Sequence, residues 1–137
     1  MKAGLAVMGL LTVLAALPGA AARADGGIAV QMPDVSGLSP DQARALLADL
    51  ANVNVITANC PGYPISNGEW TLITATGDLL AARLGLDPRA YDQSYYGPAF
   101  KLLDDPGACD RIGPMARPLI KRLIGMGGGT EPLPQPQ

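Results

Sequence analysis

A chain of 137 residues that is 48% hydrophobic and 16% charged has material for one core and excludes two independent ones. Its formal charge of −2, from 10 basic and 12 acidic residues that are spread rather than clustered, excludes the electrostatic footprint of a nucleic-acid binder. Histidine is absent, which removes the commonest general base, the Ser-His and Cys-His pairings and most zinc and haem ligation.

Residues 1–24 read as an export leader: Lys2 is a positive start, residues 3–17 form an apolar run, Pro18 and Gly19 break it, and Ala22-Arg23-Ala24 places small residues where a signal peptidase reads. Cleavage after Ala24 leaves 113 residues, 137 less 24. Losing Lys2 and Arg23 leaves 8 basic against 12 acidic residues, a net charge of −4. The leader's run is shorter than the ~20 residues that span a bilayer, and none like it follows, so the mature chain is expected to carry no transmembrane segment.

Residues 25–38, rich in glycine and without a sustained period, are expected to form an extended lead-in. Ser39, Pro40 and Gln42 then make a capping box with proline in the first turn, and Ala43, Leu46, Leu47, Leu50, Val53, Thr57 and Cys60 recur at helical steps, predicting a helix over 40–58. Val53-Asn54-Val55-Ile56 also alternates as a short strand does, and both readings stand at this point. Cys60-Pro61-Gly62-Tyr63-Pro64 is a turn. Ser66 and Glu69 form a second capping box, Ile65 and Trp70 occupy staple positions, and Gly85 supplies a stop, predicting a helix over 67–84. Asp87-Pro88, Gly97-Pro98 and Asp105-Pro106 each open a short helix, to Ser94, Asp104 and Ile112. Gly113-Pro114 is expected to bend or break the run before a last amphipathic helix through Met115, Leu119, Leu123 and Met126. The tail, 127–137, with three glycines and three prolines among polar residues, is expected to be disordered.

The two cysteines, Cys60 and Cys109, in an exported chain point to a structural disulfide, worth about 4 kcal/mol of unfolded-state entropy for a loop of roughly 50 residues. Thiol redox chemistry and covalent haem attachment both lack a cysteine two residues from the first. Glu69, the one glutamate of the folded part, is explained by its helix cap, so no catalytic residue is assigned. Asp104, Asp105 and Asp110 lack the alternating ligands of a calcium loop, and no metal or cofactor is expected. Tyr91, Tyr95, Tyr96 and Phe100 concentrate most of the aromatic side chains in ten residues. Filling of the core is the plainer reading of these rings, and an interaction surface is the functional one. Arg111, Arg117, Lys121 and Arg122 give the last helix a basic side, which a solvated helix C-terminus explains.

The leader, a first helix ending in Asn59-Cys60-Pro61, a second cysteine near Cys109 and a closing Ile124-Gly125 resemble a group of small exported helical proteins of unknown function from alphaproteobacteria. The likeness covers residues 40–125 and implies a periplasmic, all-helical fold, while supplying no activity. The expectation is an all-α bundle of four to six helices, some very short, with one disulfide and with the 67–84 helix at its centre. In function it is a periplasmic, non-enzymatic interaction module or accessory subunit of an envelope complex. The alternative is a small cell-wall-directed enzyme or enzyme inhibitor.

Overall fold

The computed structural model describes residues 27–136, so the expected leader lies outside the described residues. The fold is all-α: α1 (Pro40–Asn59), α2 (Asn67–Arg83), α3 (Pro88–Tyr91), α4 (Gly97–Lys101), α5 (Ala108–Ile112) and α6 (Ala116–Gly125), with no strand among the described residues. Both capping boxes form. Ser39 Oγ accepts from Gln42 N–H at 3.1 Å and Gln42 Oε1 accepts from Ser39 N–H at 2.9 Å, and Ser66 and Glu69 repeat the exchange. Residues 53–56 lie inside α1, where Val53, Val55 and Ile56 are all buried, so burial overrides their strand preference.

The glycine stops close the last turns of α2 and α6. Gly85, at φ 70°, lets Leu86 N–H reach Ala81 O at 2.9 Å, and Gly127, at φ 99°, lets Gly128 N–H reach Leu123 O at 2.9 Å. Between α3 and α4 the chain does not break. A wide turn, Asp92–Tyr96, joins them, and Gly97 N–H bonds Asp92 O five residues back, a spacing that accommodates Pro98 without interrupting the run. α5 starts at Ala108, two residues later than Asp105-Pro106 predicts, with Gly107 at its N-cap and no side-chain cap; Asp105 instead accepts from Gly107 N–H at 2.9 Å in the preceding turn and pairs with Arg111. Both bonds, the backbone one foremost, hold its carboxyl below the usual range.

The centre of the fold is α1, not α2. Leu46, Leu47, Leu50, Val53 and Ile56 meet Leu72, Ile73, Leu80 and Leu123 in one aliphatic core, while Ala51 and Val55 on another side of α1 pack against Ala99. A helix covered on two sides is a hub; α2 remains exposed along Trp70, Asp78 and Leu79. Cys60 at the end of α1 is bonded to Cys109 of α5, with Cα atoms 5.7 Å apart, so the bridge encloses α2, α3 and α4. Beside it Tyr63 lies over Gly113, where a Cβ would come within 2.4 Å of the ring, and its hydroxyl donates to Asp110 at 2.8 Å. That bond is the main reason the Tyr63 phenol is pushed up.

The lead-in is extended as expected, with Val30, Pro33 and Val35 turned inward. Arg83, at the end of α2, gathers the carbonyls of Val35, Ser36 and Leu38 and holds the turn that feeds α1. The tail is irregular chain, but its first part is tethered. Asp34 N–H bonds Met126 O at 2.8 Å, Gly129 N–H bonds Gln31 O at 2.9 Å and Leu133 N–H bonds Ala29 O at 2.8 Å, an antiparallel pairing with the lead-in. Thr130 O sits where a Cβ on Gly68 would be, 1.7 Å away, so the tail crosses the start of α2 over a residue without a side chain. Among the described residues, the pairing with the lead-in reaches as far as Leu133.

Candidate functional site

The largest fully buried side chains are aliphatic apart from Thr76, and no aromatic residue is buried. The four rings expected either in the core or on a surface divide between the two. Tyr91 and Tyr95 are half-buried against the core, Tyr96 packs on the smaller Ala51, Val55 and Ala99 cluster, and Phe100 is 53% exposed. Tyr91 is a wedge: its hydroxyl lies 2.6 Å from where a Cβ on Gly77 would be, so α3 approaches α2 only because position 77 is glycine. Burial, then the neighbouring Tyr96 and Asp78, pushes the Tyr91 phenol far up, so it stays protonated and a hydrogen-bond donor.

The rings continue outward from this wedge. Tyr91 and Tyr96 meet edge to face with centroids 5.2 Å apart, and Tyr96 and Phe100, one helical turn apart, are tilted at 6.4 Å. Asn54 Nδ2 of α1 donates to Tyr96 Oη at 2.8 Å, and Asn54 Oδ1 accepts from Trp70 Nε1 at 3.2 Å. One amide thus couples the α1, α2 and α4 sides, and it brings in Trp70, 48% exposed, which the tyrosine-rich segment did not suggest. Trp70 and Ile65, at the expected staple positions, line one shallow groove with Ala58, and the indole N–H has a partner in Asn54. The signal for Asn54 was present as a side-chain amide amid the apolar stretch 53–56, where it supported a strand reading instead.

Trp70 also stands at the edge of a larger opening. An open groove of about 480 Å³ runs between residues 27–32 and α2, walled by Trp70, Thr74 and Asp78. The Thr74 hydroxyl donates to Trp70 O at 3.0 Å, and partial burial of Asp78 raises its carboxyl above the usual range. Of the acidic groups singled out from the sequence, Glu69, Asp105 and Asp110 are engaged elsewhere. Glu69 accepts from Ser66 N–H and pairs with Arg117, whose other nitrogen bonds Pro64 O; Asp110 accepts from Tyr63. Arg111 and Arg117 of the basic side are likewise paired, with Asp105 and Glu69. No described helix is long and apolar enough to cross a membrane. Comparison with protein-family models, with curated proteins and with solved structures yields no match.

Proposed function

We propose that the protein is exported to the periplasm and acts there as a non-enzymatic interaction module, an accessory subunit of an envelope complex, through the face formed by Trp70, Asn54, Tyr96 and Phe100. One observation carries this reading. The chain's only tryptophan and only phenylalanine are each about half-exposed and joined through Asn54 and Tyr96 into one face, while the core is aliphatic. Large, rigid rings fixed at the surface by hydrogen bonds lose little entropy on binding and supply the anchors that protein interfaces use. Export is supported by the leader pattern of residues 1–24 and by a disulfide, which persists in an oxidising compartment. The likeness to small exported helical proteins agrees with this location.

The test is affinity purification of the tagged protein from the periplasm with mass spectrometry of what accompanies it. Wild type should recover a reproducible membrane complex, and Phe100→Ala, which leaves the core intact, should lose it at unchanged melting temperature; equal recovery by both refutes the face. The alternative, a small cell-wall-directed enzyme, is favoured by one feature: Asp78 is a carboxylate with a raised pKa in a groove. Glycan hydrolysis commonly requires two such groups. Peptidoglycan digestion by wild type that disappears in Asp78→Asn would establish the enzyme reading.

A further inference from the structure

The groove on the far side of Trp70 has properties the aromatic face lacks. In extended chain, successive residues direct their backbone N–H and C=O to opposite edges. Ala29 and Gln31 turn their carbonyls to the tail, where Leu133 and Gly129 donate to them. Ile28, Val30 and Met32 therefore present their backbone groups to the other edge, and among the described residues these three make no backbone hydrogen bond. Ile28, Val30 and Met32 are all lining residues of the groove. An unpaired edge beside a concave, largely apolar channel is a template for an added strand.

The opposite wall states what such a strand would carry. Trp70 and Asp78 are eight residues apart on α2, which places them about 12 Å apart along the helix. Four residues of a β-strand span about 13 Å and return the side chain to the same face, so residues i and i+4 of one strand can meet both. Asp78 has no basic partner among the described residues, and its carboxylate lies in a partly desolvated wall. The Thr71 and Thr74 hydroxyls beside it donate to Asn67 O and Trp70 O, leaving their lone pairs free to accept. Apart from the Trp70 N–H, which is taken up by Asn54, the polar side-chain groups of this wall are available as acceptors or anionic, and the indole face at its other end attracts cations.

We propose that this groove binds an extended, lysine- or arginine-bearing segment of another protein as an added β-strand paired with the Ile28, Val30 and Met32 edge, with one basic side chain at Asp78 and another at Trp70. A second copy of this chain fits less well. Its own 27–32 segment, Gly-Ile-Ala-Val-Gln-Met, brings no cation to Asp78. The groove shares Trp70 with the aromatic face but not Phe100, which lies outside the groove and separates the two.

The test uses the full chain produced through export and purified oxidised, with a fluorescein-labelled octapeptide alternating threonine and lysine as the probe in fluorescence anisotropy. The expected result is saturable binding, at least about tenfold weaker when glutamate replaces lysine, and weakened by about the same factor in Asp78→Asn. N-methylation of alternate peptide bonds should abolish binding in one register and spare it in the other, because only one set of N–H groups faces the protein edge. Phe100→Ala should bind the probe as wild type does. Loss of affinity in both registers equally, or in neither, leaves charge attraction without strand addition and overturns the proposal, as does absence of binding at about 1 mM. Concentration-dependent dimerisation that the peptide fails to reverse would assign the edge to a second copy. That result also overturns the proposal.

Discussion

Residues 39–85 form two long helices that carry their own start and stop signals, whereas residues 88–126 form a succession of short helices punctuated at Gly97-Pro98, Asp105-Pro106 and Gly113-Pro114. The first pair is specified locally, by capping boxes at Ser39 and Ser66, a glycine stop at Gly85 and an apolar stripe. The later segments are too short to be stable alone. They are held from outside, by the Cys60–Cys109 bond, the Tyr63 ring over Gly113, the Asp105–Arg111 pair and the Tyr91 wedge against Gly77. Where the chain carries helix signals, tertiary contacts only orient the helices. Where the helices are short and proline-rich, tertiary contacts hold them in place, and the exposed aromatic face joins Tyr96 and Phe100 of that second part to Asn54 and Trp70 of the first.

The largest expected effect comes from the bridge. Replacing both cysteines by alanine should cost about 4 kcal/mol, read as the shift of the urea midpoint, and hydrogen exchange should show α5 and α6 losing protection before α1 and α2. Simultaneous loss in both halves would break the contrast. Gly113→Ala places a methyl group into the Tyr63 ring and should cost about 2 kcal/mol by denaturant titration, with most of that returned in the Tyr63→Ala background.

The first half carries a defect of its own, since the Thr76 hydroxyl is fully buried with no hydrogen-bond partner. Thr76→Val keeps the shape and removes the orphan, so it should stabilise by about 1 kcal/mol, seen as a higher melting temperature; a loss would mean the hydroxyl has a partner, such as buried water.

The smallest effect concerns Asp78, whose folded-state carboxyl is raised by partial burial. A raised acid holds its proton in the folded state where the unfolded chain has released it, so stability falls as pH rises from 3.8 through the folded value. Asp78→Asn should therefore melt higher than wild type at pH 7 and lose that advantage below pH 3.8. An advantage that grows with acid would contradict the burial.

Much of the helical frame was legible because its signals are local. The ends of α1 and α2 follow from Ser39, Ser66 and Gly85, and the bridge follows from there being two cysteines in a chain that reads as exported. The candidate site was legible only in part. Phe100 and Tyr96 stand out in a tyrosine-rich stretch, but Asn54 and Trp70 join them from 42 and 26 residues upstream of Tyr96 through hydrogen bonds that no spacing announces.

By itself the sequence determined where α1 and α2 start, where α2 stops, and that a covalent tie between two distant turns is chemically available. Each of these depends on residues within one or two turns of one another or on composition. Tertiary structure alone decided that α1 rather than α2 is the hub, because covering Ala51 and Val55 requires Ala99 from a remote segment. It also decided that the tail is tied to the lead-in as far as Leu133, through backbone hydrogen bonds that any sequence able to pass Gly68 could make. The open edge along Ile28, Val30 and Met32 follows from that pairing, since one edge of an extended chain becomes distinct from the other only when a neighbour occupies it.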